Sequence, residues 1–442
     1  VHASSPLSFL IKDAEESLGI KINQAVIGMP KFPIRQEANS GKVIDRGEDT
    51  EITAEDIEAI KRFAQETYPL KDPAHEAIYG AVAQSFSDGE YFQIIEDDII
   101  GMTSDVLEGH FKIFIGKKSD LNKIDKVMKK TNVSAHKKYF TAETTAKAVL
   151  TEAEMENGVA LIDFGGGSTS VTIYHGNIMR HYASIPFGGK NITDDIKSEC
   201  QISERLAENI KLAYGACMPE KLQSLSEKVL HIRSNNAEPD KQVTVKYLSE
   251  IITARIEEIM MAMLYEIDES GFADMLRSGI VITGGCAQTA NLGSFIYELS
   301  GYRVRTGYPQ ARISVSGCDG IKETTAATSL GLIMAAKEEQ CIVNCAVPRN
   351  DAICEEPVIE EKGNEEEPDG GNIWTRQDPE PSQEPEPAEG ELFADEQIEK
   401  VIPEKKPKKS IFNVLWTKAK KVTEEAKEKT GKLLDEISEE EV

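Results

Sequence analysis

The stretch Gly158-Val159-Ala160-Leu161-Ile162-Asp163-Phe164-Gly165-Gly166-Gly167-Ser168-Thr169-Ser170-Val171-Thr172-Ile173-Tyr174 decides the fold. An apolar run from Val159 to Ile162 ends in Asp163, passes through three glycines and two hydroxyls, and resumes with Val171 and Ile173 between polar residues. Two strands therefore meet at a Gly-rich turn. The expectation is a β-hairpin built around a phosphate. Glycine lets backbone N–H groups crowd an anion without Cβ interference, Ser168 and Thr169 add hydroxyl donors, and Asp163 at the strand end can hold a water of Mg²⁺. No Gly-Lys-Ser/Thr ending follows, and what does follow reads as a strand rather than a helix. Those two facts set the hairpin apart from the P-loop and the Rossmann turn.

Working outward on the C-terminal side, Ile185-Pro186-Phe187-Gly188-Gly189 leads into a helix over Asn191 to Cys200, with Ile192 and Ile196 inward. The next helix, Ser203 to Tyr214, carries Glu208 and Lys211 one turn apart and stops at Gly215, read as a C′ glycine. Tyr247 to Asp268 is a long helix with Leu248, Ile251, Ile252, Ile256, Ile259 and Met263 on its apolar side, where Met260, Met261 and Met263 serve packing. Ile280 to Thr283 reads as a buried strand with the tight exit Gly284-Gly285-Cys286-Ala287, followed by helices over Gly293 to Leu299 and Thr324 to Ala336.

On the N-terminal side, Val1 to Leu18 reads as an amphipathic helix and Gln24 to Gly28 as a strand. Ile34 to Ile44 alternates loosely around Asn39-Ser40-Gly41, which suggests a turn between short strands. Thr53 with Asp56 three residues on makes a capping box for a helix whose face is Ile57, Ile60, Phe63 and Ala64. The segments 77–84, 91–95 and 111–115 and a helix over Leu121 to Lys130 complete a strand-helix module. A helix over Thr141 to Leu150 comes just ahead of the phosphate hairpin.

The 442 residues suffice for two or more cores, and 40% hydrophobic content is ordinary for a globular chain. The net charge of -26 is concentrated in one tail: from Glu355 to Glu399 only Lys362 and Arg376 oppose the acids. A basic nucleic-acid footprint is therefore not expected on the body. The seven cysteines form no C-x-x-C pair, so reduced thiols are expected rather than a metal site. No window reaches 18 apolar residues, and the N-terminus lacks a basic segment followed by an apolar one.

Three features taken together say more than each alone. Asp163 to Thr169 would hold β- and γ-phosphates, Gly284 and Gly285 would let a nucleoside lie against bare backbone, and Glu208 and Lys211 would bracket the ribose and adenine. At these residues the chain resembles a known superfamily. Leu161-Ile162-Asp163-Phe164-Gly165-Gly166-Gly167-Ser168-Thr169 is similar to the second phosphate motif of actins, sugar kinases and DnaK-type chaperones, and Ile282-Thr283-Gly284-Gly285 to their adenosine motif. The resemblance narrows to the FtsA family of actin-like bacterial division proteins. It rests on Asn39-Ser40-Gly41, Glu51-Ile52-Thr53, Asp88-Gly89, Gly101-Met102, Leu107-Glu108-Gly109 and Ala148-Val149-Leu150-Thr151, and further on Ile185-Pro186-x-Gly188-Gly189-x-x-Ile192-Thr193 and Val304-Arg305-x-Gly307. It covers about residues 20–336.

The resemblance implies an α/β, actin-like ATPase fold with two lobes and an inserted subdomain. It divides the chain into 1–50 as a partial subdomain 1A, 51–130 as the inserted subdomain 1C, 131–157 as a return to 1A, 158–200 with 275–340 as 2A, and 201–274 as 2B. It implies ATP and Mg²⁺ as cofactors, with phosphate contacts from Asp163, Gly165, Gly166, Gly167, Ser168 and Thr169 and nucleoside contacts from Glu208, Lys211, Gly284, Gly285 and Cys286. The first phosphate motif of the family, an Asp-x-Gly hairpin, has no counterpart ahead of Val1 in this sequence, and the expectation is a body without it. No residue stands out as a base for an attacking water, so ATP binding with weak or absent hydrolysis is expected. As partners the resemblance implies the C-terminal peptide of the tubulin-like FtsZ, other copies of the chain in a filament, further division proteins and the cytoplasmic face of the inner membrane at the division site.

The tail supplies its own reading. Residues 341–404, rich in Glu and Pro, read as a disordered acidic linker. Within 405–442, at 100° per residue, Ile411, Phe412, Leu415, Ala419 and Val422 fall in one arc with Trp416 at its edge, and Lys418, Lys420 and Lys421 lie nearby. That pattern fits an amphipathic helix on an anionic membrane surface. Two alternatives stay open at this point: a small-molecule kinase of the same superfamily, and a PilM-like or MreB-like cytoskeletal ATPase.

Overall fold

Every residue of the strand Val159–Phe164 is buried, and the pleat sends successive side chains to opposite faces. Ala160, Ile162 and Phe164 enter a core with Val171, Ile173, Ile192 and Ile196 and with Leu248, Ile252, Ile256, Ile259 and Met263 of the helix Val245–Glu269. Val159 and Leu161 enter a second core with Phe140, Ala146, Val149 and Tyr182. The unbroken apolar run is thus the signature of an interior strand covered on both sides. The structure is a computed structural model and describes residues 4–43, 50–232, 241–309, 319–339 and 346–348.

This strand is the centre of a five-stranded sheet in the order Val304–Thr306, Ile280–Thr283, Val159–Phe164, Thr169–His175, Ile178–Ile185. The first three run parallel and the last two antiparallel to their neighbours. Asp163 is in register with Thr283, so the turns at Gly165 and Gly284 leave the sheet side by side at one edge. The carboxyl ends of parallel strands are where open α/β sheets place their ligands. Ile256, fully buried at the middle of the long helix, reports on the core behind this edge. Ile256→Val is expected to cost about 1 kcal/mol, measured by urea unfolding.

A third core holds Ile52, Ile57, Ile60, Ala64, Phe86, Ile99, Leu107, Phe111, Ile113 and Ile115. It lies between the helix Ala54–Thr67, whose Thr53/Asp56 capping box is present, and an antiparallel sheet ordered Ile34–Val43, Leu107–Lys117, Glu76–Ser87. Two expectations fail here. No turn interrupts residues 34–43: Asn39, Ser40 and Gly41 pair straight through with Phe111, His110 and Gly109. The polar and small residues serve the helix above instead. The Asn39 amide donates to Ala64 O at 2.6 Å, and a Cβ on Gly41 would stand 3.0 Å from Ile60 Cγ1 and 3.1 Å from Ile60 O. Nor is 91–95 a strand. The Asp88 carboxylate accepts from the N–H groups of Glu90 (3.0 Å) and Tyr91 (2.7 Å), curling the chain back so that only Ile94 bridges to Phe86. Of the expected helix face, Ile57, Ile60 and Ala64 are buried, whereas Phe63 is exposed.

The strand Gln24–Gly28 pairs in parallel with Ser134–Tyr139, and beside it the helices Thr141–Val149 and Ala327–Glu338 cross at Gly331. Among the elements that went unread in the sequence are the strands Ser134–Tyr139, Ile178–Ile185 and Val304–Thr306, the helix Glu152–Asn157 and the antiparallel pair Val229–Ile232 and Lys241–Thr244. Gly215 follows the helix Glu204–Tyr214 as expected, but with φ -66° it is no left-handed cap. Its lack of a side chain leaves room for Lys211 O, which a Cβ would approach to 2.3 Å.

Candidate functional site

The Gly-rich turn joins two strands paired from Val159↔Tyr174 to Phe164↔Thr169, so the expected hairpin is present. Gly165 N–H donates to Ser168 O at 3.1 Å, closing the turn. The turn is then tied to the helix Gly189–Cys200: the N–H groups of Gly189 and Lys190 donate to Gly165 O (3.0 Å) and Gly166 O (2.7 Å). A Cβ on Gly188 would stand 2.5 Å from Gly165 O and 2.8 Å from Gly166 O, so the two segments touch backbone to backbone. On the other side the turn is bare. Gly166 and Gly167 are exposed, and no atom lies within 4 Å of where a Cβ would stand on either. Among the described residues their N–H groups donate to no backbone carbonyl. Free amides with no side chain in front of them suit a phosphate.

Thr169 differs from the other residues expected at the phosphate. It is fully buried and its hydroxyl donates to Phe187 O at 2.8 Å, bracing the hairpin against the 185–189 segment. Ser168 stays half-exposed at the turn. Asp163, nearly buried at the strand end, is met by a residue the sequence reading missed. The Lys31 ammonium donates to its carboxylate and to Thr328 Oγ1 at 3.1 Å. Lys31 arrives on the exit of the strand Gln24–Gly28, and its carbonyl accepts from the Tyr182 hydroxyl at 2.6 Å.

Glu208 and Lys211 lie at the same turn. Lys211 Nζ donates to Glu208 Oε2 (2.7 Å), Thr193 Oγ1 (2.8 Å) and Gly189 O (3.0 Å), and the Thr193 hydroxyl donates to Glu208. Burial alone would push the Glu208 carboxyl up, but these bonds outweigh it and hold it below the usual carboxylate range. Cys286 Sγ sits 3.5 Å from Gly165 O, and burial pushes its thiol up to about 11, so it is neutral at physiological pH.

Gly284 has φ 91° and ψ 173°, a conformation essentially reserved for glycine. A Cβ there would lie 2.5 Å from Phe164 O and 2.8 Å from Asp163 Oδ1. The turn is stitched by Thr324 Oγ1 donating to Gly284 O at 2.8 Å and Thr283 Oγ1 to Gly307 O at 2.9 Å. Gly285 has only Thr325 Cγ2 near a Cβ position, at 3.7 Å. Asp163, the Gly165–Ser168 turn, Glu208, Lys211 and the Gly284–Cys286 exit therefore come together from segments far apart in sequence. The tail residues Ile411, Phe412, Leu415, Trp416, Lys418, Ala419, Lys420, Lys421 and Val422 lie outside the described residues. Among the described residues no helix is long and apolar enough to cross a membrane, and no three of His, Cys, Asp and Glu group as a metal centre.

A mixed sheet with a Gly-rich hairpin and a glycine strand exit at one edge defines an actin-like ATPase fold. A solved PilM–PilN type IV pilus biogenesis complex shares that fold, with a TM-score of 0.51 at 13% identity over 76% of this chain and 86% of that one. The sequence model described as Cell division protein FtsA matches residues 160–331. The Cell division protein FtsA of Neisseria meningitidis serogroup B is 30% identical over 348 residues, 78% of this chain and 80% of that protein. That of Pseudomonas aeruginosa is 28% identical over 331 residues, 75% and 76% of the two chains. The chain belongs to the FtsA family.

Proposed function

We propose that this chain is a cell division adaptor that binds ATP, assembles into an actin-like filament and tethers FtsZ to the cytoplasmic membrane at the division site through its C-terminal amphipathic segment. The observation that carries the nucleotide part is the convergence of bare amides at Gly166 and Gly167, the Glu208–Lys211 pair and the glycine exit at Gly284 and Gly285. The triphosphate would lie along the hairpin, with Gly166, Gly167 and Ser168 donating and Asp163 beside it. The nucleoside would rest against Gly285 and Cys286, flanked by Glu208 and Lys211. Asp163 would hold Mg²⁺ through a water, and the ion would offset the negative charge of the phosphates. No residue is assigned to positioning an attacking water, so binding rather than turnover is the proposed role. Family membership supports the division role.

For the body we propose subdomains 1A, 1C, 2A and 2B, with the inserted 1C running from residue 34 rather than 51 because Ile34–Val43 pairs along its length with Leu107–Lys117. For the tail, burial of Ile411, Phe412, Leu415 and Trp416 plus ~1 kcal/mol per nearby lysine gives weak, reversible binding by one helix. A filament would multiply such contacts into firm attachment.

The test is co-sedimentation with anionic liposomes, with and without FtsZ, at low and physiological salt. The chain is expected to pellet and to bring FtsZ with it, less strongly at higher salt. The double substitution Phe412→Glu with Trp416→Glu is expected to leave both proteins in the supernatant. Unchanged pelleting of that variant would sink the membrane assignment.

A further inference from the structure

We propose that Lys31 is the residue through which this site recognises a terminal phosphate group. The inference rests on the nucleotide reading above and goes beyond it, because no phosphate motif contains Lys31. Its side chain is about one quarter exposed, and its ammonium meets the Asp163 carboxylate, which is almost fully buried at the strand end from which the Gly-rich turn departs. Of its three N–H donors, one meets Asp163 and one Thr328 Oγ1 at 3.1 Å. The third is left for a ligand.

The electrostatics explain why such a residue is needed. A polyphosphate entering at Gly166 and Gly167 carries several negative charges toward the fixed charge on Asp163, and at short range in a half-buried site that repulsion is substantial. Thr328, Thr145 and Ser168 are neutral. Lys211, the ammonium beside Glu208, already spends its three donors on Glu208, Thr193 and Gly189 O. Among the described residues Lys31 is the ammonium bonded to Asp163, and it has a donor to spare. It would bridge Asp163 and the phosphate, turning a repulsive pair into a three-body arrangement of alternating charge. The backbone holds it ready: Tyr182 OH donates to Lys31 O at 2.6 Å, and Met29 N–H to Tyr139 O at 2.9 Å.

The experiment titrates ATP, ADP and adenosine by calorimetry into the full chain and its Lys31→Met, Lys31→Gln and Lys31→Arg variants. Loss of one charge-assisted contact should weaken ATP binding about ten- to hundredfold in the Met and Gln variants. Adenosine affinity should stay unchanged, and the Arg variant should bind ATP within a fewfold of the parent. Unchanged adenosine binding also certifies that a variant is folded; Gln, which can still donate to Asp163, guards against a collapsed Met variant. If the parent binds ATP and both neutral variants bind it equally well, the role of Lys31 is overturned while the nucleotide reading stands. If adenosine and ATP affinities fall together in folded variants, Lys31 is only a structural brace. If the parent binds no nucleotide, the reading on which the proposal rests fails with it.

Discussion

Gly284→Ala is expected to lose ATP binding and to destabilise the body by about 3–5 kcal/mol, adding the cost of a glycine-only backbone conformation to that of overpacking. The added methyl would meet Phe164 O at 2.5 Å and Asp163 Oδ1 at 2.8 Å. Neither can retreat freely. Phe164 is a ladder residue paired with Thr169, and Asp163 is held by Lys31. The parallel strands would be forced apart where the hairpin and the Gly284 turn meet, so stability and binding should fall together. Urea unfolding with parallel ATP titration checks this. A variant with parental stability and intact ATP affinity would show that the two turns are not in contact.

Gly331→Val should be as damaging while lying outside the site. A Cβ at this position would stand 2.0 Å from Thr144 O and 2.5 Å from Thr144 C, both backbone atoms of the facing helix. Relief requires the helices Thr141–Val149 and Ala327–Glu338 to separate, with loss of the Thr145–Thr328 hydroxyl pair at 3.0 Å. The expected cost is about 3–5 kcal/mol, a large share of the 5–15 kcal/mol that holds a typical domain together. Gly331→Ala should show a smaller loss of the same kind. Because Thr328 also receives Lys31, ATP affinity is expected to weaken in the Ala variant before the fold gives way. Denaturation midpoints measured across the series test the ordering.

What could be read from the sequence was whatever is encoded locally. The hairpin at Asp163–Thr169 was legible because its glycines, hydroxyls and flanking apolar runs are contiguous, and the helix after Thr53 because its capping box lies within four residues. Asn39-Ser40-Gly41 misled because turn-forming residues also serve where a strand passes under a helix, and only the position of Ile60 distinguishes the two. Lys31 stayed hidden because its partners Asp163 and Thr328 lie 132 and 297 residues away. The one local sign was a lysine right after a strand exit, in Met29-Pro30-Lys31. Thr169 belonged to a recognisable motif, yet its hydroxyl turned inward to Phe187 O, since a motif fixes residue type and not side-chain direction. Gly188 was visible as part of a motif, but its reason, contact with Gly165 O, was not.

The unbroken strand Ile34–Val43 also has a mechanical side. Only Phe32 and Pro33 separate it from Lys31, and ten residues of strand make a rod about 33 Å long. It is stiffened by ten paired positions along Leu107–Lys117, so any tilt at Lys31 is carried along its whole length. A rotation of only about 2° at Lys31 would sweep the far tip through roughly 1 Å over that length. Under the proposed function, a small rearrangement beside a bound nucleotide would thereby be magnified at the far end of this strand.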